Sequence, residues 1–578
     1  MLIIALTERL DGKIRFVAFA PRALPLMRIK SLLFSQLMGK VAGVSLTDEV
    51  LHAKFPFIFL PPTSLRQKES LKGNQRMSYQ NVKEALEALK RLEAKQWALS
   101  HAMNMIVYDA ATAAPKNTAE GRGKTLGILS EYMYELIAAP KNKEMLAYLR
   151  AHENELSEEE KRRTVLMEKT CLQLSRIPQE EYTEYEILLN DAQSIWEKAK
   201  NENDFPAFAP YLEKIVAFNR KFAGYYNPSL PAYDALLNEY EEGMTMEVLD
   251  PFFEKLRAAI VPLLEKIRKA KQIDDSFLHR SFPVEKQKAC AEYLMEVLQI
   301  DRGYCGLAES EHPFTDNFNN KDVRITTHFY ENNLTSALYS VIHEGGHAIY
   351  ELSCDDRYNH TAIAGGVSMG IHESQSRFFE NIIGRSEAFI HAVYPKFKEF
   401  FPEQLADVTE EDFYKAVNRA QASLIRTEAD ELTYCLHVMI RYELEKQLIS
   451  GKLSVYDLPE EWNRLYAEYL GVEVPSDTMG CLQDTHWSGG SFGYFPSYAL
   501  GSAYGAQMMH FMKKDIPNPE EKIKNGDLGD VKAWLKEKIH RHASLYQPST
   551  LFENACGPFD PSYYVDYLTE KFTKIYQL

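Results

Sequence analysis

Over residues 78–578, apolar side chains recur every three or four positions through long stretches, a spacing that keeps them on one face of an α-helix. Residues 245–270 and 413–450 are two such stretches. The first helix of this region is marked by apolar residues at the same spacing, namely Val82, Leu86, Leu89, Leu92 and Trp97. The pattern predicts a mainly α fold, because helices with one apolar stripe bury it by packing on each other.

One segment alternates as a strand does. Residues 322–329 read Asp-Val-Arg-Ile-Thr-Thr-His-Phe and are rich in β-branched side chains, which favour strands. We expect a small β-sheet there, just before a helix that begins near Asn333. Two interpretations of this strand stay open: a structural ribbon, or a free edge that pairs with the backbone of a peptide.

The segment His343-Glu344-Gly345-Gly346-His347 carries two histidines four positions apart. On an α-helix, positions i and i+4 lie on one face, so both imidazoles can bind one metal ion, with Glu344 beside a water molecule at the site. Glu373, from a following helix, would complete a set of three protein ligands with one open position. That coordination is typical of catalytic zinc, whereas structural zinc has four ligands, usually cysteine-rich.

The surroundings of this motif favour a helix that passes through it. Asn333 is placed to cap the helix, and Leu338, Ile342 and Ile349 form an apolar stripe. The paired glycines oppose it, because each costs about 1 kcal/mol relative to alanine in a helix interior. Either something approaches this helix closely or the helix tolerates two imperfect residues. For the histidine pair itself, the alternative is chance spacing on an ordinary helix.

Composition narrows the classes of function. The 578-residue chain is 45% hydrophobic and 26% charged, as soluble globular proteins are. No apolar run reaches the roughly 18 to 20 residues of a membrane span, and Glu8 and Asp11 interrupt the stretch where a secretion signal would lie. The net charge of −16 argues against general binding to nucleic acid. The seven scattered cysteines, with no Cys-x-x-Cys pair, predict reduced and mostly buried thiols in a cytoplasmic protein.

Residues 1–76 differ in charge from the rest of the chain. They hold 12 Lys and Arg against 5 Asp and Glu, a net charge of +7, which leaves −23 for residues 77–578. Within them, Asp11-Gly12 suits a type I′ turn between two short strands. We interpret residues 1–76 as a basic N-terminal extension of uncertain order that need not belong to the mature protein. Residues 77–578 are then the catalytic domain, with Met77 as a candidate start.

Several segments together resemble the carboxypeptidase Taq family of metallocarboxypeptidases. Three of them match family signatures in order: His343-Glu344-Gly345-Gly346-His347, His372-Glu373-Ser374-Gln375-Ser376, and Gly480-x-x-Gln483-Asp484-x-His486-Trp487. A fourth signature, Ile-Arg-x-x-Ala-Asp, appears at Ile425-Arg426 with Ala429-Asp430. Two more read like family sequence, His312-Pro313-Phe314-Thr315 and residues 322–327. The likeness covers residues 77–578 and does not extend to residues 1–76.

The resemblance implies an activity, a fold and a cofactor. It implies the stepwise release of C-terminal amino acids from peptides, with broad specificity. It implies a large, mainly α, saddle-like fold with a deep central cleft, the motif helix at its floor and the small β-sheet beside that helix. The implied cofactor is Zn2+ held by His343, His347 and Glu373, with Co2+ as a possible substitute, and the implied assembly is a homodimer.

An enzyme that removes C-terminal residues must bind a terminal carboxylate, and a planar guanidinium suits that task. Arg426 is our first candidate, and the resemblance adds Gln483, Asp484 and Arg324 as substrate-binding residues. A simpler interpretation of Arg426 is an ion pair with Asp430, one helical turn further along a helix.

For the chemistry, Glu344 is the expected general base. His486, Tyr494 and Tyr498 are candidates, by analogy with other zinc peptidases, for stabilising the charge that develops on the carbonyl oxygen, and the choice between the tyrosines stays open. Each of these three, taken alone, is more often a structural group. Two other classes also stay open: a zinc endopeptidase or oligopeptidase of related helical fold, and a non-catalytic metal-binding protein, which would not need Glu344.

Overall fold

The computed structural model describes residues 79–578 and, before them, two short strands. β1 (Arg9–Leu10) and β2 (Lys13–Ile14) pair in antiparallel register on either side of the predicted turn at Asp11-Gly12. The other residues of the predicted extension, and its boundary at residue 77, lie outside the described residues. The division into two domains therefore stays a prediction.

Twenty α-helices make up most of the described residues. The first ten are α1 (Val82–Thr112), α2 (Ala119–Ala138), α3 (Pro140–Ala151), α4 (Glu158–Arg176), α5 (Gln179–Glu202), α6 (Phe205–Tyr226), α7 (Ala232–Tyr240), α8 (Met246–Lys269), α9 (Val284–Val297) and α10 (Leu334–Ser353). The other ten are α11 (Met369–Arg377), α12 (Glu387–Phe400), α13 (Glu410–Val417), α14 (Tyr434–Ser450), α15 (Leu458–Leu470), α16 (Pro496–Asp515), α17 (Pro519–Lys524), α18 (Gly529–Lys538), α19 (Pro548–Cys556) and α20 (Ser562–Tyr576). Among these described helices, none is long and apolar enough to cross a membrane.

Helical periodicity predicted two of these helices correctly and a third stretch wrongly. The stretch 245–270 is α8, and the first predicted helix is α1, as expected. The stretch 413–450 is not one helix, because α13 ends at Val417 and α14 begins at Tyr434. Between them the side chain of Asp430 accepts hydrogen bonds from the backbone N–H groups of Gln421 and Thr433 (3.0 and 3.1 Å). Such bonds compete with those of a helix and hold this segment as a loop.

A three-stranded sheet precedes α10. Its strands are β3 (Cys305–Glu309), β4 (Thr315–Asn319) and β5 (Asp322–Thr327), in the spatial order β3-β5-β4. The predicted strand is β5, but the idea that it offers a free edge to a peptide is wrong. It pairs in parallel with β3 and in antiparallel with β4, so both of its edges are occupied. The full burial of Val323 and Ile325 suits this central position.

The core places three helices around one site. A large hydrophobic cluster runs from α5 to α20, and a smaller one joins α1 to α4. In the large cluster, α10 packs against β5 on one side and against α11 on another, and α11 also packs against α16. The seven cysteines are all buried and form no disulfide, as predicted.

Candidate metal centre and its surroundings

The motif occupies the middle of a well-defined, buried helix. At the N-terminus of α10, the side chain of Asn333 accepts a hydrogen bond from the backbone N–H of Ser336 (3.3 Å). Leu338, Ile342 and Ile349 are buried, as the predicted stripe requires. The two histidines of the motif therefore project from one face of a regular helix.

The two glycines of the motif have a physical explanation in the packing of α10. A Cβ at Gly346 would lie 2.5 Å from the backbone oxygen of Gln375 in α11. A Cβ at Gly345 would lie 2.6 Å from a methyl carbon of Leu298. Since nonbonded carbon atoms prefer separations of about 3.5–4.0 Å, neither position accepts a side chain without a shift. Gly346 in particular lets α11 approach closely enough to bring Glu373 to the histidines.

His343, His347 and Glu373 converge on one point. The Nε2 atoms of the two histidines lie 3.8 and 3.6 Å from Oε2 of Glu373, and the three ligand atoms lie within 4.8 Å of one another. In the described part of the chain, this is the one such group of metal-binding side chains. Bonds of about 2.0–2.2 Å to a tetrahedral ion separate its ligand atoms by about 3.3–3.6 Å. Two imidazoles and a carboxylate at these distances fit a catalytic divalent metal ion.

A network of charged side chains supports His343 and Glu373. His343 Nδ1 lies 2.8 Å from Oε2 of Glu380, which belongs to a π-helical segment that continues α11. Arg377 donates to Glu373 Oε1 (2.7 Å) and to Glu380 Oε2 (3.2 Å). Burial alone would raise the pKa of both carboxyl groups, but Arg377 and His343 hold both pKa values well below the ordinary one. Arg377 stands four positions after Glu373, a spacing visible in the sequence, whereas no sequence pattern links Glu380 to His343.

Glu344 lies beside the ligand histidines and is 6% exposed. Its carboxylate accepts a hydrogen bond from Thr315 Oγ1, at the start of β4. Burial raises the pKa of Glu344, and the neighbouring His343 opposes this shift. Thr315, which the sequence places in a family-like segment, therefore contacts the predicted general base directly.

Arg426 forms an ion pair with Asp484. It lies in a 3₁₀ turn, Arg426–Glu428, where its Nε donates to Oδ1 of Asp484 (3.0 Å) and its Nη1 to the hydroxyl of Tyr434 (3.0 Å). Asp430 instead accepts backbone hydrogen bonds in the loop before α14. The simpler interpretation placed Arg426 and Asp430 one turn apart on a helix, and this geometry is wrong, because the 3₁₀ turn ends at Glu428 and no α-helix spans residues 426–430.

Asp484 and Gln483 join Arg426 to a second arginine, the fully buried Arg441. Arg441 donates to Oδ2 of Asp484 (2.5 Å) and to Oε1 of Gln483 (2.8 Å), and the backbone N–H of Arg426 donates to the same Gln483 oxygen (2.9 Å). Burial would raise the pKa of Asp484, but the two guanidinium groups hold it well below its ordinary value. Sequence reasoning missed Arg441, whose signal is a cation inside the apolar run of α14.

His486, Tyr494 and Tyr498 lie together at the start of α16. His486 Nε2 is 3.4 Å from the hydroxyl of Tyr498, and the ring of Tyr494 lies 5.1 Å from that of Tyr498 and 5.5 Å from that of His486, centre to centre. The guanidinium carbon of Arg426 lies 5.1 Å from the centre of the Tyr498 ring. The structure therefore brings these three candidates and Arg426 together.

Tyr434 connects this aromatic cluster to the metal centre. Its hydroxyl accepts the hydrogen bond from Arg426, and its ring lies 4.3 Å from the guanidinium carbon of Arg377. Arg377 in turn contacts the candidate ligand Glu373. A single side chain thus separates the arginine predicted to bind a terminal carboxylate from the support of the metal ligands.

Arg324 lies apart from these residues. Its guanidinium donates two hydrogen bonds to Asp322 (2.9 Å each) and stacks over the ring of Phe318 at 4.6 Å. Because side chains alternate along a strand, Arg324 and Ile325 point to opposite faces of the sheet. The cross-strand partner of Ile325 is Thr315, which contacts Glu344. The structure does not bring Arg324 to the other candidates, and its role in binding substrate stays a prediction.

The sequence matches a known family along most of its length. The sequence profile of carboxypeptidase Taq (M32) metallopeptidases matches residues 88–572. The chain belongs to the carboxypeptidase Taq (M32) metallopeptidase family. As a member of this family it is a hydrolase of the metallocarboxypeptidase class, which confirms the resemblance inferred from its motifs.

Relatives of the family match nearly end to end. Carboxypeptidase 1 of Bacillus subtilis (strain 168) is 41% identical over 498 residues, which cover 86% of this chain and 99% of the relative. Thermostable carboxypeptidase 1 of Pyrococcus furiosus is 38% identical over 498 residues, covering 84% and 98%. The crystal structure of the M32 carboxypeptidase from Deinococcus radiodurans R1 superposes with a TM-score of 0.83 at 36% identity, covering 86% of this chain and 100% of that one. The mainly helical fold is thus the fold of this family.

Proposed function

We propose that this protein is a zinc-dependent carboxypeptidase that removes amino acids one at a time from the C-termini of peptides, with broad specificity. The observation that carries the proposal is the convergence of His343, His347 and Glu373 beside Glu344, in a chain of the metallocarboxypeptidase family. Two imidazoles and an ionised carboxylate suit Zn2+, and the same ligands accept Co2+.

We assign each side chain around this centre one role in peptide hydrolysis. A zinc ion held there would act as a Lewis acid and lower the pKa of a bound water from 15.7 towards about 7. Glu344, oriented by Thr315, takes the proton of the attacking water and passes it to the departing amine nitrogen. His486 and Tyr498 donate to the oxygen on which negative charge develops, and Tyr494 packs against both rings.

For the terminal carboxylate of the substrate we propose Arg426. The planar guanidinium of Arg426 suits a carboxylate, and its central carbon lies 5.1 Å from the ring centre of Tyr498, beside the proposed donors to the carbonyl oxygen. Arg426 is 2% exposed, so binding requires its guanidinium to exchange a partner or its 3₁₀ turn to move. Gln483 and Asp484 then act by holding the arginines, not by touching the peptide.

Replacing Glu344 with glutamine tests the proposed general base. We expect kcat to fall on the order of 100- to 10,000-fold, the usual contribution of general acid–base catalysis, with zinc content unchanged. Steady-state assays on a peptide with a free C-terminus, with metal analysis of the same preparation, measure both quantities. Retained turnover in a zinc-loaded Glu344→Gln variant would refute the assignment.

Replacing Arg426 with alanine tests the recognition of the chain end. Arg280→Ala is the control, because this arginine pairs with Asp407 (2.6 Å) and is none of the candidate site residues. We expect Arg426→Ala to lower kcat/KM for free-carboxylate peptides roughly 30-fold or more, because truncating one partner of a buried charge pair costs about 2–5 kcal/mol. On peptides amidated at the C-terminus, kcat/KM of Arg426→Ala should be close to that of the wild type. An equal loss on both kinds of peptide would contradict the role.

Mass spectrometry of digested peptides separates carboxypeptidase from endopeptidase action. Ladders that lack successive C-terminal residues are the expected product, and internal fragments would favour the endopeptidase.

We also propose a homodimer in the cytoplasm. The family resemblance supports the dimer, and seven buried cysteines without a disulfide support a reducing compartment. Light scattering should give twice the chain mass of 66.4 kDa, and a monomer mass would exclude a stable dimer.

A further inference from the structure

A chain of hydrogen bonds runs from the back of His347 into the protein. His347 Nδ1 lies 2.6 Å from Nδ1 of His372, and Nε2 of His372 lies 2.7 Å from Oε1 of Glu351. Glu351 is 4% exposed and also accepts hydrogen bonds from the backbone N–H of Gly366 (3.0 Å) and from the side-chain amide of Asn317. The steps proposed above use neither His372 nor Glu351.

Only one arrangement of protons satisfies this chain when His347 binds a metal ion through Nε2. The lone pair of Nε2 then faces the ion, so the proton of the neutral imidazole is on Nδ1 and is donated to His372. His372 accepts at Nδ1, which therefore carries no proton, and it must donate through Nε2 to Glu351. Each of the two contacts then has one donor and one acceptor.

The two candidate ligand histidines are supported in different ways. His343 donates directly to the carboxylate of Glu380, which two arginines accompany. His347 contacts an imidazole, and the carboxylate of Glu351 stands one residue further away. A histidine has two tautomers, whereas a carboxylate always accepts. His372 can therefore accept the hydrogen bond of His347 only if a third group selects the tautomer of His372 that has no proton on Nδ1.

We propose that His372 and Glu351 are positioning residues for the metal centre. Glu351 selects the tautomer of His372 that carries its proton on Nε2, and His372 holds His347 with its Nε2 directed at the metal ion. This inference rests on the metal site of the proposed function and deepens it. Glu351 stands four positions after His347 on α10, and His372 adjoins Glu373 on α11, so the two helices that supply the ligands also supply their support.

Glu351→Gln and Glu351→Leu form a matched pair that tests the chain. Glutamine keeps an acceptor for His372, and its amide N–H group can donate to the side-chain oxygen of Asn317 once that amide turns. Leucine is similar in size and has no acceptor. We expect the zinc dissociation constant, measured on the full chain by chelator competition, to rise about 10- to 100-fold for leucine, the range seen when partners of metal-binding histidines are removed. Glutamine should stay close to the wild type.

His372→Ala tests the same chain from its other member and carries the test if the leucine variant fails to fold. It should weaken zinc binding by a similar factor of about 10 to 100. Added imidazole should restore part of the affinity, because the side chain of His372 is 21% exposed and the space left behind opens to solvent. His437→Ala is the control, since this buried histidine hydrogen-bonds to Tyr466 (3.0 Å) on α15 and should leave zinc affinity unchanged.

The possible outcomes separate this inference from the proposed function. Equal zinc affinity in the wild-type, glutamine and leucine proteins would overturn the inference alone, provided that the wild type binds zinc and cleaves peptides. An affinity that falls in His372→Ala but does not recover with imidazole would also count against it. A wild-type protein that binds no zinc would overturn the metal site and this inference together.

Discussion

A methyl group added at Gly501 is expected to displace the candidate metal ligand Glu373. Gly501 lies where α16 crosses α11, and a Cβ built there would lie 2.6 Å from Cγ of Glu373 and 2.9 Å from its carbonyl carbon. Ordinary contacts begin at 3.4 Å, so the side chain must move by about 0.8 Å and the backbone by about 0.5 Å. Metal sites keep their ligands within about 0.2 Å of ideal distances.

The Gly501→Ala variant should lose more in metal binding than in stability. Overpacking typically costs about 1–3 kcal/mol, and alanine in place of glycine inside a helix returns about 1 kcal/mol. The free energy of unfolding of the metal-free protein should therefore fall by about 0–2 kcal/mol. Zinc affinity should fall on the order of 10- to 100-fold, as it does when groups that orient ligands are lost.

Gly505→Ala is the matched control, one turn further along α16. Its Cβ would lie 3.2 Å from the terminal methyl carbon of Ile382, a flexible side-chain end, and 3.5 Å from the backbone oxygen of Ser374. It gains the same helix propensity without pressing on Glu373. Urea denaturation of the metal-free proteins and chelator competition for zinc measure the two effects. If both variants bind zinc as tightly as the wild type, close packing at Gly501 does not position Glu373.

Two further predictions concern buried polar groups. Burial raises the pKa of Glu445 to about 7 from 4.5, despite hydrogen bonds from Trp487 and Gly493. Its contribution to stability is complete below pH 4.5 and is lost as the pH rises through about 7, a change of about 3 kcal/mol at 1.36 kcal/mol per pKa unit. The unfolding free energy of the wild type minus that of Glu445→Gln should fall by this amount between pH 4.5 and about 8 in urea titrations, and a constant difference would contradict it. Thr315→Val removes the hydrogen bond to Glu344 and should lower kcat by about 10-fold or more, because a hydrogen bond to a charged group contributes about 1.5–3 kcal/mol. Zinc content should not change, and an unchanged kcat would show that Thr315 does not orient the base.

Local physics made several elements predictable. Periodic apolar residues predicted α1 and α8, and a capping asparagine predicted the start of α10, because helices form from interactions within a few residues. The failure at residues 413–450 has the same origin. Apolar spacing continues through the loop there, but the side chain of Asp430 binds the backbone and the helix is interrupted. Periodicity does not reveal such a competing contact.

In the candidate site, too, local features could be predicted from the sequence and contacts between distant residues could not. That His343 and His347 share one helix face follows from the sequence, since four-residue spacing is a property of a single helix. The sequence motifs also indicated the family and Glu373. The groups that support these residues could be identified only from the folded chain. Glu380 meets His343 across 37 positions of sequence, and Asp484 meets Arg426 across 58. Contacts of that kind depend on how helices cross, and α10 and α11 can cross closely because Gly346 leaves room for the backbone of α11.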